Sequence, residues 1–368
     1  MAGKKTPVKI LLAPLDWGLG HATRSTPLIQ ALLDLGVEVH LAGNGPSLAY
    51  LRQEFPRLPY LELPGYNVVY SRWRSQVGAL LRQFRRLGRV IQAEHAAVGR
   101  YAAEQGIDAT LSDHRYGVWL AGKPSVLIGH QLSLQIPVAM GWARSLVDRL
   151  HLRYLRPFEE IWVPDYAPPD GLAGKLVSHF RLRAPDAYLG PLSRFQGYPR
   201  HAPEPQARPL ALLSGPEPQR TLLEERLIRQ AKAENIALTL VQGRPDLPYE
   251  ERLEGPVHLI SFMKGEALAR RVQSAPQLIS RAGYSSLMDF ACLGTGGLLL
   301  VPTPGQTEQE YLARELARQG KAHTVPQHRL KLGRDLKQAA QNRGFEGEGM
   351  HTRPFVAVLE NWIAQRWK

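Results

Sequence analysis

Two stretches of the chain bring together residue types that could do chemistry. The first, LAPLDWGLGHATR at 12–24, runs from an apolar segment through Gly18 and Gly20 to His21 and Arg24. Glycines permit a tight turn and a close approach of backbone to ligand. An imidazole in the first turn of a helix faces the positive end of the helix dipole, which favours its neutral, proton-accepting form. His21 therefore fits a general base, and equally a histidine that satisfies backbone groups at the helix start. Arg24, one turn on, can hold an anion or pair with a carboxylate. The glycine spacing is only a partial dinucleotide fingerprint, because Thr23 stands where the third glycine belongs.

The second stretch, SRAGYSSLMDFACLGTGGLLLVPTPGQTEQE at 280–310, ends an apolar run at Gly283 and opens a helix with Tyr284, Ser285 and Ser286. The free amides of such a helix start can receive a phosphate, and serine hydroxyls add donors. Asp289, on the same helix, suits ribose hydroxyls. Gln309 and Glu310, near the start of the next helix, can donate to and accept from the hydroxyls of a sugar. LLSGPEPQR at 212–220 offers another turn of the same type, with Ser214, Gly215 and Arg220. Each of these also has an ordinary structural reading as a helix-turn residue. No Asp-x-Asp pair is present to carry a divalent ion between phosphates, so no metal is expected.

The elements that must position these residues follow from short apolar runs bounded by glycine and proline that alternate with helical periodicity, the pattern of a parallel sheet wound with helices. Strands are predicted at 8–15, 37–43, 59–65, 108–113, 125–131 and 160–165, and again at 209–215, 237–243, 257–263, 277–283 and 296–302. In such sheets ligands lie beyond the carboxyl ends of the strands, where both stretches fall. The length of 368 residues fits two domains facing a cleft. The expected fold class is thus α/β, two Rossmann-like doubly wound parallel-sheet domains. The proline- and arginine-rich stretch 190–209 reads as the linker, giving domains at 1–189 and 190–350. An amphipathic helix at 351–368 is expected to pack back on the first domain.

Lysine and arginine exceed acidic residues by 46 to 33, a net charge of +13 that favours anionic partners. Nucleic acid is not expected, since aromatics are not interleaved with the arginines and no recognised motif occurs. The single cysteine, Cys292, sits in an apolar run and reads as packing. The N-terminal segment reads as strand and not as a secretory signal, and no apolar run is long enough to span a bilayer, so a cytoplasmic protein is expected. The stretch 71–95 sets Val77, Leu80, Leu81, Phe84, Leu87 and Ile91 at helical spacing among Arg82, Arg85, Arg86 and Arg89. It could rest on the anionic inner face of a membrane or pack as a core helix with a basic solvent face.

At GLGHATR and SRAGYSSLMDFACLGTGGLLLVPTPGQTEQEYLA the chain resembles the inverting two-Rossmann (GT-B) glycosyltransferases of family 28, the family of the peptidoglycan N-acetylglucosaminyltransferase that makes lipid II. The resemblance implies transfer of a sugar from a UDP-sugar, of the UDP-N-acetylglucosamine kind, to a hydroxyl acceptor, lipid-linked or in the cell envelope, with no cofactor or metal. It places the base on His21 beside Gly20, and ribose contact on Asp289, where the family usually has glutamate. The base-flanking apolar position falls on Phe262 or Met263, and phosphate contact on Gly283, Ser285 and Ser286, in a motif that also carries Arg281. The sugar-contacting pair falls on Gln309 and Glu310, the glutamate replacing the family's second glutamine, and Arg194 matches a linker arginine that reaches the diphosphate. Asp113, in LSDHRYG, is expected either to orient His21, as in related transferases, or to cap a turn or pair with Arg115. Arg24 departs from the lipid II enzyme and is similar to a related hydrolase of nucleotide sugars, which uses the same histidine to activate water. Hydrolysis, or nucleotide-sugar binding without turnover, is therefore the alternative.

Overall fold

The computed structural model describes residues 7–16, 19–66, 77–132, 144–178, 183–199, 201, 207–215, 217–244, 247–345 and 353–367, with the side chains of 77–86, 144 and 146 outside the description. The chain divides into two compact units, Met1–Arg194 with Arg353–Lys368, and Phe195–Thr352.

In the first unit the elements are β1 (Lys9–Pro14), α1 (Gly20–Asp34), β2 (Glu38–Gly43), α2 (Gly45–Glu54), β3 (Tyr60–Glu62), α3 (Val77–Gln105), β4 (Ala109–Asp113), β5 (Ser125–Ile128), α4 (Arg144–Leu155), β6 (Glu160–Val163), α5 (Lys175–Ser178) and β7 (Ala187–Tyr188). The strands form one parallel sheet in the order β3-β2-β1-β4-β5-β6-β7. Helices cover both of its faces, so β1 reads as the continuous apolar run ILLAP, and β4 is buried along its whole length although Thr110, Ser112 and Asp113 are polar. The chain order reverses between β1 and β4, where Pro14 stands opposite Asp113. That reversal leaves a crevice beyond the strand ends, the usual ligand position in this fold.

The second unit holds β8 (Leu210–Leu212), α6 (Gln219–Glu234), β9 (Leu238–Val241), β10 (Glu251–Glu254), β11 (Val257–Ile260), α7 (Gly265–Ser274), β12 (Leu278–Ser280), α8 (Tyr284–Leu293), β13 (Leu298–Leu300), α9 (Thr307–Arg318), β14 (Ala322–Thr324) and α10 (Leu332–Ala339). Its sheet runs β10-β11-β9-β8-β12-β13-β14, parallel throughout except for the edge strand β10, so its reversal lies between β8 and β12. Cys292 is buried on α8 as a free thiol.

The last helix, α11 (Pro354–Trp367), belongs to the first unit. Phe355, Leu359 and Trp362 enter the core that contains Trp162 and Leu189, and the Trp162 and Trp362 rings meet edge to face at 5.4 Å. Arg366 fixes its end through Glu159 and Glu160, at 2.7 and 2.6 Å.

Candidate active site

The carboxyl ends of β1, β4 and β5 are neighbours in the first sheet, and each is followed by a histidine: His21 in the first turn of α1, His114 directly after β4, and His130 two residues beyond β5. They converge on Asp113 and Arg24. The Arg24 Nε donates to Asp113 Oδ2 at 2.7 Å, and its Nη2 donates to Asp113 Oδ1. Nη2 also lies 2.8 Å from His21 Nδ1 and 3.3 Å from His114 Nδ1, and Nη1 lies 3.0 Å from His130 Nδ1. His21 Nδ1 and His114 Nδ1 each stand 3.2 Å from Asp113 Oδ1.

Asp113 therefore does lie against His21, but its main partner is Arg24 and not His21 or Arg115. Arg24, expected at the donor, is only 2 % exposed and is committed to this cluster by a two-pronged ion pair. Burial, and after it the Arg24 charge, pull the His21 imidazole down to about 4 against the opposing pull of Asp113. Burial works against ionisation of Asp113, yet the Arg24 charge beside it holds the carboxyl well below the usual range. His21 is consequently neutral at physiological pH. The ligating atoms of His21, Asp113 and His114 lie within 4.8 Å of one another, a donor set that suits a metal ion, and the Arg24 nitrogen stands among them as a cation.

His114 and His130 are the site residues that sequence reasoning missed. Their signal was the one that marked His21, a histidine just past a strand, but only the sheet order brings the three strands together. His114 has a left-handed backbone (φ 60°), which costs a residue with a β-carbon about 1–3 kcal/mol. Its amide donates to the Ile128 carbonyl at 3.2 Å, and its ring lies on Gly129, where a β-carbon would come within 3.1 Å of Cε1 and 3.2 Å of Nε2. Glycine is the residue that admits the ring.

A second buried network braces the loops behind the cluster. Arg115, fully buried, donates to Glu94 Oε1 at 2.6 Å, Asn44 Oδ1 at 2.8 Å and the Pro14 carbonyl at 2.8 Å. Glu94 accepts further from Tyr66 Oη and the Gly117 amide. Nearby His151, 5 % exposed and 2.9 Å from Tyr116 Oη, is pulled down to about 4, mainly by burial. Arg194 ends the first unit beside the Tyr50 phenol, on which its charge acts.

In the second unit the strand ends assemble most of the expected donor residues. Ser214 and Gly215 follow β8, Phe262 and Met263 follow β11, and Gly283 caps α8, whose first turn presents the half-buried Ser285 and Ser286. Gly215 has φ +98°, a conformation that favours glycine, and faces Thr303 Oγ1 across the turn. Asp289 is buried on α8. Gln309 Oε1 accepts from the Thr303 amide at 2.9 Å and so fixes the loop before α9, while Glu310 receives the Gly305 amide at 3.4 Å.

Two arginines depart from expectation. Arg220 is held by Glu217, Glu224 and the Gln242 carbonyl. Arg281, 1 % exposed and lowered to about 10 by burial, donates to the carbonyls of Val301, Pro302 and Gln219. Both are braces within the unit, because each guanidinium is committed to protein acceptors.

Of the basic helix expected at 71–95, the side chains of Val77, Leu80, Leu81, Phe84, Arg82, Arg85 and Arg86 lie outside the described residues. In the part described, Ile91 is buried with Leu15 and Tyr66, Leu87 packs against them, and Arg89 is exposed. No helix among the described residues is long and apolar enough to cross a membrane.

Residues 229–353 match the glycosyltransferase family 28 C-terminal domain. No curated protein matches the chain. The fold is similar to that of the glycosyltransferase SnogD from Streptomyces nogalater, with a TM-score of 0.63 at 16% identity over 98% of this chain and 100% of that one. It is similar to Acinetobacter baumannii MurG, at 0.58 and 15% over 98% and 100% of the two chains. It also resembles the Streptomyces sp. SF2575 glycosyltransferase SsfS6, complexed with thymidine diphosphate, at 0.59 and 16% over 97% and 99%. With a parallel sheet in each unit and this domain in the second, the chain is a glycosyltransferase of the two-Rossmann GT-B fold that carries a family 28 C-terminal domain.

Proposed function

We propose that the chain is an inverting glycosyltransferase that moves a sugar from a UDP-sugar to a hydroxyl acceptor. The observation that carries this reading is the cluster of imidazoles held on Asp113 and Arg24 at the strand ends of the first unit. A neutral imidazole can take the proton of an acceptor hydroxyl as its oxygen attacks the anomeric carbon and the nucleoside diphosphate leaves. One displacement inverts the configuration. The carboxylate of the cluster, Asp113, is buried and paired with Arg24, so it is badly placed to act as the nucleophile of a two-step, retaining route.

On the donor side, the reading assigns the diphosphate to the amides at the start of α8 with Ser285 and Ser286, and to Arg194. It assigns the ribose to Asp289, the base to Phe262 and Met263, and the sugar to Gln309 and Glu310. Helix amides and an arginine can meet the diphosphate charge without a metal. SsfS6 is described with thymidine diphosphate, so the pyrimidine nucleotides are the first donors to compare. A lipid-linked or cell-envelope acceptor, reached through the basic stretch 71–95 at an anionic membrane surface, completes the reading. Flotation with anionic vesicles at low salt tests that part.

A panel of UDP-, dTDP- and GDP-sugars in a thermal-shift assay tests the donor. A ligand at about 100 times its Kd stabilises the native state by about 2.7 kcal/mol. A shift confined to UDP-sugars is expected, and no shift with any nucleotide sugar would remove the proposal. Release of free sugar without an acceptor would make the chain a hydrolase.

A further inference from the structure

A base at His21 needs an acceptor for itself once it has taken the proton, because an imidazolium has two N–H donors and no lone pair. The acceptor that its Nδ1 faces is Asp113 Oδ1, 3.2 Å away. That pairing holds only while the carboxylate is ionised and turned toward His21, and Asp113 alone secures neither condition. It is 2 % exposed, and burial opposes its ionisation. Other rings crowd the same place. His114 Nδ1 stands at an equal 3.2 Å from Oδ1, the His114 ring meets His21 edge to face at 5.4 Å, and the His130 ring lies 5.1 Å from that of His114.

Arg24 answers both conditions. Its rigid fork donates to Oδ2 through Nε at 2.7 Å and to Oδ1 through Nη2, so the carboxylate cannot turn without breaking two charge-assisted bonds. Its positive charge meets that of Asp113 out of reach of bulk water, since Arg24 is itself 2 % exposed. The third ring is tied to the same fork, with Nη1 at 3.0 Å from His130 Nδ1. A guanidinium beside His21 opposes the charge that the ring gains, so what Arg24 contributes lies in the carboxylate and not in direct contact with the ring.

We propose that Arg24 is a positioning residue of the transfer, a third member behind His21 and Asp113 that keeps the Asp113 carboxylate ionised and aimed at His21. In the step, the acceptor O–H bond breaks as an N–H bond forms at His21 Nε2. The freed oxygen pair bonds to the anomeric carbon, and the bond from that carbon to the diphosphate oxygen breaks with its electrons on the diphosphate. Asp113 Oδ1 accepts from Nδ1 of the imidazolium so formed. This role rests on the transfer reading; the clamp of Arg24 on Asp113 belongs to the resting protein.

Kinetics of Arg24→Met, Asp113→Asn and the double variant test the role, with a UDP-sugar and a hydroxyl acceptor that the wild type joins. Arg24→Met should lose about 10²-fold in kcat, the scale of a misplaced catalytic group, with KM within about threefold of the wild type. Arg24→Lys keeps the charge without the fork and should recover only part of that loss. In the Asp113→Asn background, Arg24→Met should change kcat by less than about threefold, because the carboxylate it serves is gone. A residue that only supports the fold would lower both backgrounds alike. An unchanged kcat in Arg24→Met, a loss confined to KM, or a further loss of about tenfold or more in the double variant would each overturn the proposal. If Arg24→Met alone does not fold, the double variant, which leaves neither charge buried without its partner, is compared with Asp113→Asn and decides.

The clamp is read without substrate from the arginine Nε–H signals of the full-length ¹⁵N-labelled chain at neutral pH. The signal that Arg24→Lys removes should exchange slowly with solvent, shift in Asp113→Asn and stay in place in His21→Gln. A signal that exchanges as freely as those of surface arginines, or is indifferent to Asp113→Asn, would refute the clamp and the role with it. A wild-type chain that turns over no nucleotide sugar, with these signals as expected, would fail the transfer reading and leave the clamp standing.

Discussion

The neutral imidazoles should make the first unit labile to mild acid. His21 and His151 are each drawn from an ordinary value of 6.5 to about 4, chiefly by burial. In the unfolded chain they bind protons near the ordinary value, so their contribution to stability is complete above that pH. It is lost as pH falls through 6.5 toward the folded value. At pH 5 each has given up about 2 kcal/mol, and both together about 4 kcal/mol. For a unit of this size that is a fall in melting temperature of about 10 °C between pH 8 and pH 5. Glu94, raised by burial despite the Arg115 partner, works in the opposite direction and trims the fall. Asp113 is lowered and adds its own loss only at more acidic pH. Calorimetry at pH 8, 6.5 and 5 on the wild type and on His151→Gln measures this, since the variant should show about half the drop. A wild-type melting point that is flat between pH 8 and 5, or a variant with the full drop, would refute the reasoning.

Three further outcomes follow from the geometry. Arg115→Met leaves Glu94 buried without its charge partner and should cost about 3–5 kcal/mol in urea unfolding, partly restored by a second change, Glu94→Gln. Leu359→Ala on α11, with no exposed surface, should cost about 2–5 kcal/mol by the same measurement. Gly129→Ala pushes the His114 ring by a few tenths of an ångström and should lower kcat by up to about tenfold, with the melting temperature nearly unchanged.

Much of the architecture was legible because strands covered on both faces tend to run apolar along their length, as ILLAP of β1 does, while ATLSD of β4 is buried throughout with its polar residues included. The strands left unread, β7, β10 and β14, have two to four residues, and β10 is the polar edge segment ERLE, exposed over most of its length. Nothing in their local pattern separates them from loop. The site was half legible. His21 and the α8 helix start stand out because their chemistry is local to one turn. The sequence leaves Arg24 open between an anion and a carboxylate and sets Arg220 and Arg281 among the donor residues; Arg220 is settled by Glu217 and Glu224 close by in sequence, the other two by partners farther along the chain. Asp113 lies 89 residues from Arg24, and the Val301 carbonyl lies 20 from Arg281. The left-handed turn at His114 likewise has no mark in SDHRYG.

The most direct measurement is the stereochemistry of a single turnover, followed by NMR of the anomeric carbon with a donor chosen from the thermal-shift panel and a hydroxyl acceptor. The account predicts one nucleoside diphosphate released per glycoside formed, with the configuration inverted. A glycoside of retained configuration, or diphosphate release that yields only free sugar, would contradict it.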